Sequence, residues 1–380
     1  MNFDIDDDQV LLGDTSRKYL QSRESLSRTR RRIETAETVD LAEWKAGADL
    51  GWASMLIPAE SGGGSITDQP LVDLVVLAGE LGRVLHPAPF LPTNVVADAI
   101  SCWGNEDQRK LLSHLAAGDM LAAWCTSADS VPDVSCIGVV ATPTATGYLL
   151  QGTSSLVHGA SVADQALVTA RTADGLIMHF LVALRSKGIA VRPLSALDLT
   201  RRYSKVYFDQ VEVELPQRIG PAEAGLEILA RAGAVATVVQ VGEAAGAVDY
   251  LVDETVRYAK DRVQFGRPIG SFQAIKHRLA DLHVAREAVR ATAYYAALAL
   301  GDGQVDAAEA VAVAGAYVGD TYAWVCGEAL QLHGGIGFTW EHDMHLFLRR
   351  AKVDQVLYGE PHWHRERLCR ILEQSTEGAA

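Results

Sequence analysis

The spacing of apolar residues changes twice along the chain and divides it into three regions. Near the start of the chain the acidic run Asp6 to Asp8 precedes the apolar residues Val10 to Leu12, which is typical of a helix start, and Leu71 to Leu85 has apolar residues at helical spacing. Beyond about residue 119 the apolar segments become short and β-branched, and long helical runs return near residue 219. Helical periodicity predicts helices, and short segments bounded by turn residues predict strands. We therefore expect domains at 1-118, 119-218 and 219-380.

Six short β-branched segments make up the middle region, separated by polar residues or by Gly, Pro and Asp. Segments of this length between turn signals predict a small antiparallel barrel or sandwich. The segments are Leu121 to Trp124, Cys136 to Ala141, Gly147 to Gly152, Gln165 to Ala170, Phe180 to Leu184 and Lys205 to Val213.

Four long alanine-rich runs follow in the last region, and alanine has the highest helix propensity of all residues. They predict a C-terminal four-helix bundle, so the expected fold is an α+β multidomain chain with helices on both sides of a β domain. The runs are Ala222 to Lys260, Phe272 to Gly301, Ala307 to His333 and Met344 to Leu372.

Composition narrows the classes of function. The chain has 380 residues, 48% of them hydrophobic, and a net charge of -14. This acidic balance argues against nucleic acid as a partner. No apolar run reaches the roughly 20 residues that predict a membrane span, and the acidic N-terminus is unlike a secretory signal. The five cysteines are scattered without metal-ligand spacing. We expect a cytoplasmic protein with reduced thiols and no metal site.

Two motifs in the last region carry candidate chemistry. The segment RVQFGRPIGSFQ, from Arg262 to Gln273, combines cations, aromatic rings, glycines and amides. The segment QLHGGIGF, from Gln331 to Phe338, places an amide and a Gly-Gly pair at the end of a helical run. Glycine lets a backbone approach a ligand closely, and arginine binds phosphate. Taken singly, each motif also fits an ordinary helix end followed by a turn.

Together, in this order and about sixty residues apart, the motifs resemble the cofactor-binding segments of the acyl-CoA dehydrogenase family. The resemblance covers nearly the whole chain and is strongest in about the last 140 residues. It implies FAD as cofactor, bound by groups that reach across a dimer interface. In the first segment, Arg262 would contact the pyrophosphate, with Phe265 and Gln273 at the adenine end. In the second segment, Gln331, Gly334 and Gly335 would lie against the adenosine diphosphate.

The middle region departs from the family pattern. The usual flavin-facing strand carries Thr-Glu-x-Gly-x-Gly-Ser-Asp, whereas this chain has TSADS, beginning with Thr126 and Ser127. The hydroxyls of these two residues remain candidates for flavin binding, but the glutamate and the glycines are missing. In the next flavin strand, Leu156 stands at the usual tryptophan position and His158 at the usual threonine position.

The catalytic base also departs from the pattern. The family removes an α-proton from an acyl-CoA with a carboxylate while hydride leaves for the flavin. One family position for this carboxylate is occupied here by Tyr358, two residues before Glu360, and the other by Ala236, seven residues before Glu243. Seven residues place Glu243 on the same helix face but about 10 Å further along. Glu360 and Glu243 are the candidate bases. A solvated loop carboxylate and a buried ion-pair partner are the respective alternatives.

The motifs of the last region match the family, whereas those of the middle region and of the catalytic base depart from it. Three hypotheses follow from this difference. In the first, the chain is one subunit of a heterotetrameric acyl-CoA dehydrogenase of the actinobacterial steroid and lipid catabolic type, sharing its flavin site with a paralogous partner that supplies the base. In the second, it is a self-sufficient homotetramer with Glu360 or Glu243 as base. In the third, it is a pseudoenzyme that keeps the fold without redox chemistry. The dehydrogenase readings imply an acyl-CoA substrate and an electron-transfer flavoprotein as acceptor.

Overall fold

A computed structural model describes residues 5–23, 26–35, 39–127 and 134–377, and its order of elements confirms the predicted fold class. Helices come first, a β-sheet follows, and long helices close the chain. Two aspartates lie in the first turn of the first helix, where negative charge complements the helix dipole. The N-terminal helices are α1 (Asp7–Arg23), α2 (Leu26–Thr35), α3 (Leu41–Ala48), α4 (Pro70–Arg83), α5 (Phe90–Trp103), α6 (Glu106–Arg109) and α7 (Leu112–Ala116).

The described residues of the middle region form one eight-stranded sheet, and each of the six predicted segments lies in or overlaps one of its strands. The strand order is β6-β7-β3-β2-β4-β5-β8, with β1 paired to β4. Most pairs are antiparallel, whereas β4 pairs in parallel with both β1 and β2. The strands are β1 (Ala122–Cys125), β2 (Val139–Pro143), β3 (Gly147–His158), β4 (Gln165–Arg171), β5 (Ile177–Ala183), β6 (Ile189–Leu194), β7 (Tyr203–Glu214) and β8 (Arg218–Ile219).

Strand β3 runs six residues beyond its predicted end at Gly152. Its pairing with β7 shifts register between Leu150 and Gly152, and again between Ser154 and Val157. Gly152 has φ +134°, a conformation open mainly to glycine. Because such irregularities redirect side chains, this strand turns His158 inward at its end, where the ring is buried. The sequence pattern missed β6 because its residues are mostly exposed and show no apolar alternation.

Three of the four predicted long helices are confirmed, and the fourth is two helices. The predicted helix from Met344 to Leu372 is wrong, because the chain breaks after Asp354 and Pro361 starts a new helix. Tyr358 and Gly359 have φ +59° and +112°, which no helix can accommodate. The elements of this region are α8 (Gly225–Asp261), β9 (Val263–Gln264), β10 (Arg267–Pro268), α9 (Gln273–Gly301), α10 (Ala307–His333), α11 (Met344–Asp354) and α12 (Pro361–Glu377).

Helix α8 is the central element of the structure. It is 37 residues long and packs against α4, α5, α9, α10 and α11. With the short turn before it, this helix has the length and hydropathy of a membrane span, but 67% of its apolar window is buried inside the protein. Such burial is typical of a core helix.

Glycines bring the backbones of α4 and α8 into contact. A Cβ atom on Gly82 of α4 would lie 1.9 Å from the carbonyl oxygen of Glu243 on α8. One turn away, a Cβ on Gly246 would lie 1.8 Å from the carbonyl oxygen of Gly79. Both distances are shorter than any non-bonded contact, so the crossing requires glycine at these positions. The crossing also fixes where Glu243 sits.

We predict that Gly82→Ala lowers the free energy of unfolding by about 1–3 kcal/mol, because the added methyl group forces α4 away from α8. The matched control is Gly327→Ala in α10, where an added Cβ meets nothing within 4 Å. Alanine there should stabilise the helix by up to about 1 kcal/mol. Urea unfolding of both variants tests the prediction, and equal stability of Gly82→Ala and wild type would contradict it.

Candidate functional site

The first predicted flavin segment is a small hairpin at the end of α8. Strands β9 and β10 pair antiparallel around a turn formed by Phe265 and Gly266. The Phe265 ring is 92% exposed, and the Arg267 guanidinium lies over the ring of Phe272 at 4.1 Å. Arg262 and Gln273 are exposed at the two ends of the segment. Val263 of the same hairpin is 53% exposed as well, and exposed apolar side chains that lie together are typical of a surface that binds a partner or a ligand.

The second predicted flavin segment ends α10 beside that hairpin. Tyr258 donates a hydrogen bond to the carbonyl oxygen of His333 at 3.2 Å, and the two rings stack at 4.4 Å. This contact joins the end of α8 to the end of α10. Gln331 and Gly335 are exposed, and a Cβ on Gly334 or Gly335 would meet nothing within 4 Å. The fold thus places the two segments at the adjoining ends of α8 and α10, and we call them together the nucleotide edge (262–273 and 331–338).

Thr126 and Ser127 lie in the interior instead. Both follow β1 and are buried, and neither hydroxyl has a hydrogen-bond partner in the part of the chain that the structure describes. The carbonyl oxygen of Ser127 accepts hydrogen bonds from the Ser155 amide at 3.0 Å and the Ser154 hydroxyl at 3.1 Å. Their described contacts are therefore with β3, not with the nucleotide edge of the same chain.

An aromatic pair closes the interior beside these hydroxyls. The rings of Trp124 and Tyr358 lie 5.8 Å apart between centroids, with planes only 10° from parallel. Tyr358 is 8% exposed and lies between α11 and α12. Burial raises the pKa of the Tyr358 phenol above its ordinary value. The side chain at the family's base position is therefore a neutral phenol, which cannot accept a proton.

Buried charged side chains lie near Tyr358. Arg201, in the loop between β6 and β7, lies 2.5 Å from Glu243 of α8 and 3.5 Å from Asp354 of α11. Arg350 of α11 lies 2.6 Å from Asp198, in the same loop as Arg201. We call these five residues the buried charge cluster. Sequence reasoning found only Glu243 in it, because the other four stand in unremarkable polar positions.

The two predicted bases lie in different environments. Glu243 is 5% exposed, and one of its carboxylate oxygens is held by Arg201. Its other oxygen has no hydrogen-bond partner within the described ranges. Glu360 is exposed on the loop before α12, where its carbonyl oxygen accepts a hydrogen bond from the His364 amide. The structure therefore does not bring these two carboxylates together, and catalysis by either stays a prediction.

Burial shifts the protonation of two further groups here. It raises the pKa of Asp354 to about 7, because desolvation outweighs the attraction of Arg201 and Arg350. It holds the pKa of His158 well below the ordinary value, and nearby Arg201 and Arg350 add to the effect. His158 is thus a neutral ring, 5.6 Å from the ring of Tyr203, and its Nε2 is buried without a described partner.

Comparison with known proteins identifies the family. The acyl-CoA dehydrogenase N-terminal domain matches residues 6–119, and the C-terminal domain matches residues 223–372. Acyl-CoA dehydrogenase IpdE2 of Mycobacterium tuberculosis is 34% identical over 333 residues, covering 86% of this chain and 84% of that protein. This chain belongs to the acyl-CoA dehydrogenase family. Acyl-CoA dehydrogenases are oxidoreductases that act on a CH–CH group, so the predicted enzyme class is confirmed.

Two solved complexes share the acyl-CoA dehydrogenase fold over almost the full chain. A chain of the ChsE4-ChsE5 complex from Mycobacterium tuberculosis has a TM-score of 0.87 and 26% identity, covering 98% of this chain and 99% of its own. A chain of the Tcur3481-Tcur3483 steroid ACAD variant also has a TM-score of 0.87, with 28% identity, covering 97% and 98%. The two domain matches flank the sheet, where the family motifs depart in this chain.

We predict that Arg201→Met lowers the free energy of unfolding by about 3–5 kcal/mol, because it leaves Glu243 buried without its cation. Adding Glu243→Gln should restore part of that loss, since the uncompensated charge is then removed. The control is Arg365→Met, which breaks an ion pair with Asp320 whose side chains are both about half exposed, and should change stability by less than about 1 kcal/mol. Urea unfolding separates these outcomes. A double variant no more stable than Arg201→Met would contradict the reasoning.

We predict that Asp354→Asn removes a pH dependence of stability. The folded-state pKa of Asp354 is about 7, above the ordinary value of 3.8. Between these values the unfolded state is ionised while the folded state keeps its proton, so wild-type stability falls as pH rises, by at most about 1.4 kcal/mol per pH unit. The melting temperature of the variant relative to that of wild type should rise from pH 4 to pH 7 and stay constant above pH 7. If the difference in melting temperature between variant and wild type is constant across this range, folding does not raise the pKa of Asp354.

Proposed function

We propose that this chain is one subunit of an FAD-dependent acyl-CoA dehydrogenase, assembled as an α2β2 complex with a paralogous chain that shares its flavin site. One observation carries the proposal. The nucleotide edge lies open on the surface, while the interior that faces the flavin in this family is filled by the Trp124–Tyr358 pair. This chain can thus contribute binding groups to a flavin that a neighbouring chain holds.

The nucleotide edge fits the diphosphate half of FAD. Arg262 offers an exposed guanidinium for the pyrophosphate, and Gln273 and Gln331 offer exposed amides. The backbone at Gly334 and Gly335 is free of side-chain obstruction, so a ligand can approach its amides. FAD, when bound, accepts the hydride that leaves the β-carbon of the acyl group. The residues of this chain hold and orient its nucleotide end.

The base of the reaction belongs to the partner in this proposal. One oxygen of Glu243 is held by Arg201, Glu360 is exposed at the surface, and Tyr358 is a neutral phenol. A base must reach the α-carbon with a free lone pair. A self-sufficient enzyme would have to protonate Glu243 on its second oxygen and so neutralise the anion that is paired with buried Arg201, which is costly. The buried ion pair therefore favours the shared site over the self-sufficient one.

The similar proteins support the assembly and the substrate class. ChsE4-ChsE5 is a complex of two differently named chains, and the Tcur3481-Tcur3483 protein is named as a steroid ACAD. We infer an acyl-CoA of steroid or fatty-acid catabolism as substrate and an electron-transfer flavoprotein as electron acceptor. The proposed location is the cytoplasm. The candidate bases Glu360 and Glu243, and the hydroxyls of Thr126 and Ser127, remain part of the alternative of a complete site on this chain.

We predict little flavin on this chain produced alone and about one FAD per two chains when it is produced with its paralogous partner. Visible absorbance of the flavin and the mass of the assembly measure both values. In the mixed complex, Arg262→Ala should weaken FAD binding about tenfold or more, because a charge-assisted contact to the pyrophosphate is lost. Arg185→Ala, at an exposed turn after β5, is the matched control and should leave binding unchanged.

Two outcomes would contradict the proposal. About one FAD per chain in a homotetramer would establish a complete site on this chain, and Glu243→Gln and Glu360→Gln would then identify its base. Absence of flavin from both the isolated chain and the mixed complex would indicate a pseudoenzyme that keeps the fold for assembly.

A further inference from the structure

Resting on the proposed function, we infer that Tyr358 closes this chain's own flavin-side pocket by stacking on Trp124, and that this steric closure confines the chain to its partner's flavin. The contact joins the end of β1 to the α11–α12 linker. These are the two places where a flavin-facing strand and a loop carrying the base would have to stand apart to admit ligands. In this chain they touch.

The spacing of the two rings leaves no slot for a planar ligand. Their centroids are 5.8 Å apart and their planes are nearly parallel. A third ring between them would need about 7 Å between the planes, because each contact between carbon atoms takes roughly 3.5 Å. The plane separation cannot exceed the centroid distance. A flavin ring or a thioester therefore cannot enter without displacing one of the two side chains.

The backbone holds Tyr358 in this place. Its φ of +59° is uncommon for an aromatic residue and persists only where the surroundings determine it. Those surroundings are the start of α12. A Cβ on Gly359 would lie 2.5 Å from the ring of Trp363 and 3.0 Å from the ring of His364. The tight fit of Gly359 against α12 fixes the preceding residue and directs its ring inward.

Polar groups that could hold a ligand lie on Trp124 and on the residues shortly after it in the chain. The Trp124 indole nitrogen and the hydroxyls of Thr126 and Ser127 are buried, and each lacks a hydrogen-bond partner among the residues that the structure describes. Buried polar atoms normally find partners, so three orphans beside one contact indicate a place where a ligand could be held. The Tyr358 ring is therefore what blocks entry of a ligand, because the hydrogen-bonding groups that would hold it are still present.

The test is an FAD titration of the full chain purified alone, followed by equilibrium dialysis and by quenching of flavin fluorescence. Copies of this chain supply their own nucleotide edges, so an opened pocket has the surface contacts it needs. Tyr358→Ala removes the ring and should bind FAD about tenfold or more tightly than wild type. Tyr358→Phe keeps the ring without its hydroxyl and is the matched control, expected to bind as weakly as wild type.

Thermal melts followed by circular dichroism check that each variant is folded. If Tyr358→Ala does not fold, Trp124→Ala opens the same contact from the opposite side and carries the same expectation. A folded opening variant that binds FAD no better than Tyr358→Phe would overturn the closure, while the shared-site proposal would stand on the one-per-two stoichiometry of the mixed complex. Tight FAD binding by wild type alone would overturn both.

Discussion

The charge pair between Arg201 and Glu243 is the interaction on which the arrangement of this molecule depends. Arg201 belongs to the sheet region, Glu243 to the central helix α8, and Asp354, its second partner, to α11. Burying charges is favourable only when each is compensated in good geometry. The three elements must therefore meet in one register, and the glycine crossing of α4 and α8 holds the Glu243 backbone at the required depth.

This arrangement separates two activities that a complete acyl-CoA dehydrogenase site combines. The interior of the chain uses its carboxylates to hold sheet and helices together, with Glu243 and Asp354 against Arg201 and Asp198 against Arg350. Polar side chains at the ends of α8 and α10 lie at the surface instead. Arg262, Gln273 and Gln331 are exposed there and free to contact a nucleotide. The same fold thus engages the interior carboxylates in ion pairs and leaves these surface groups exposed.

Sequence patterns predicted the elements well where local physics decides them. Alanine-rich periodicity located α10 to the residue, and β-branched segments marked six strands. These patterns failed where tertiary contacts determine the position of an element. The break between α11 and α12 depends on Gly359 fitting against Trp363 and His364, which no local pattern reveals. The exposed edge strand β6 gave no apolar alternation because the sheet, not its own side chains, holds it in place.

The sequence by itself determined the family and the order of helices and sheet. It also predicted the residues of the nucleotide edge, because glycines and a cation at fixed spacing form a motif that can be recognised locally. Only the tertiary structure decided what the carboxylates do. Glu243 is a candidate base in the sequence and an ion-pair partner in the fold, because Arg201, 42 residues away, lies against it. Whether a side chain is free or engaged depends on what packs beside it, and that is set by long-range contacts. For the same reason the stacking of Tyr358 on Trp124, which is far from it in the sequence, is visible only in the fold.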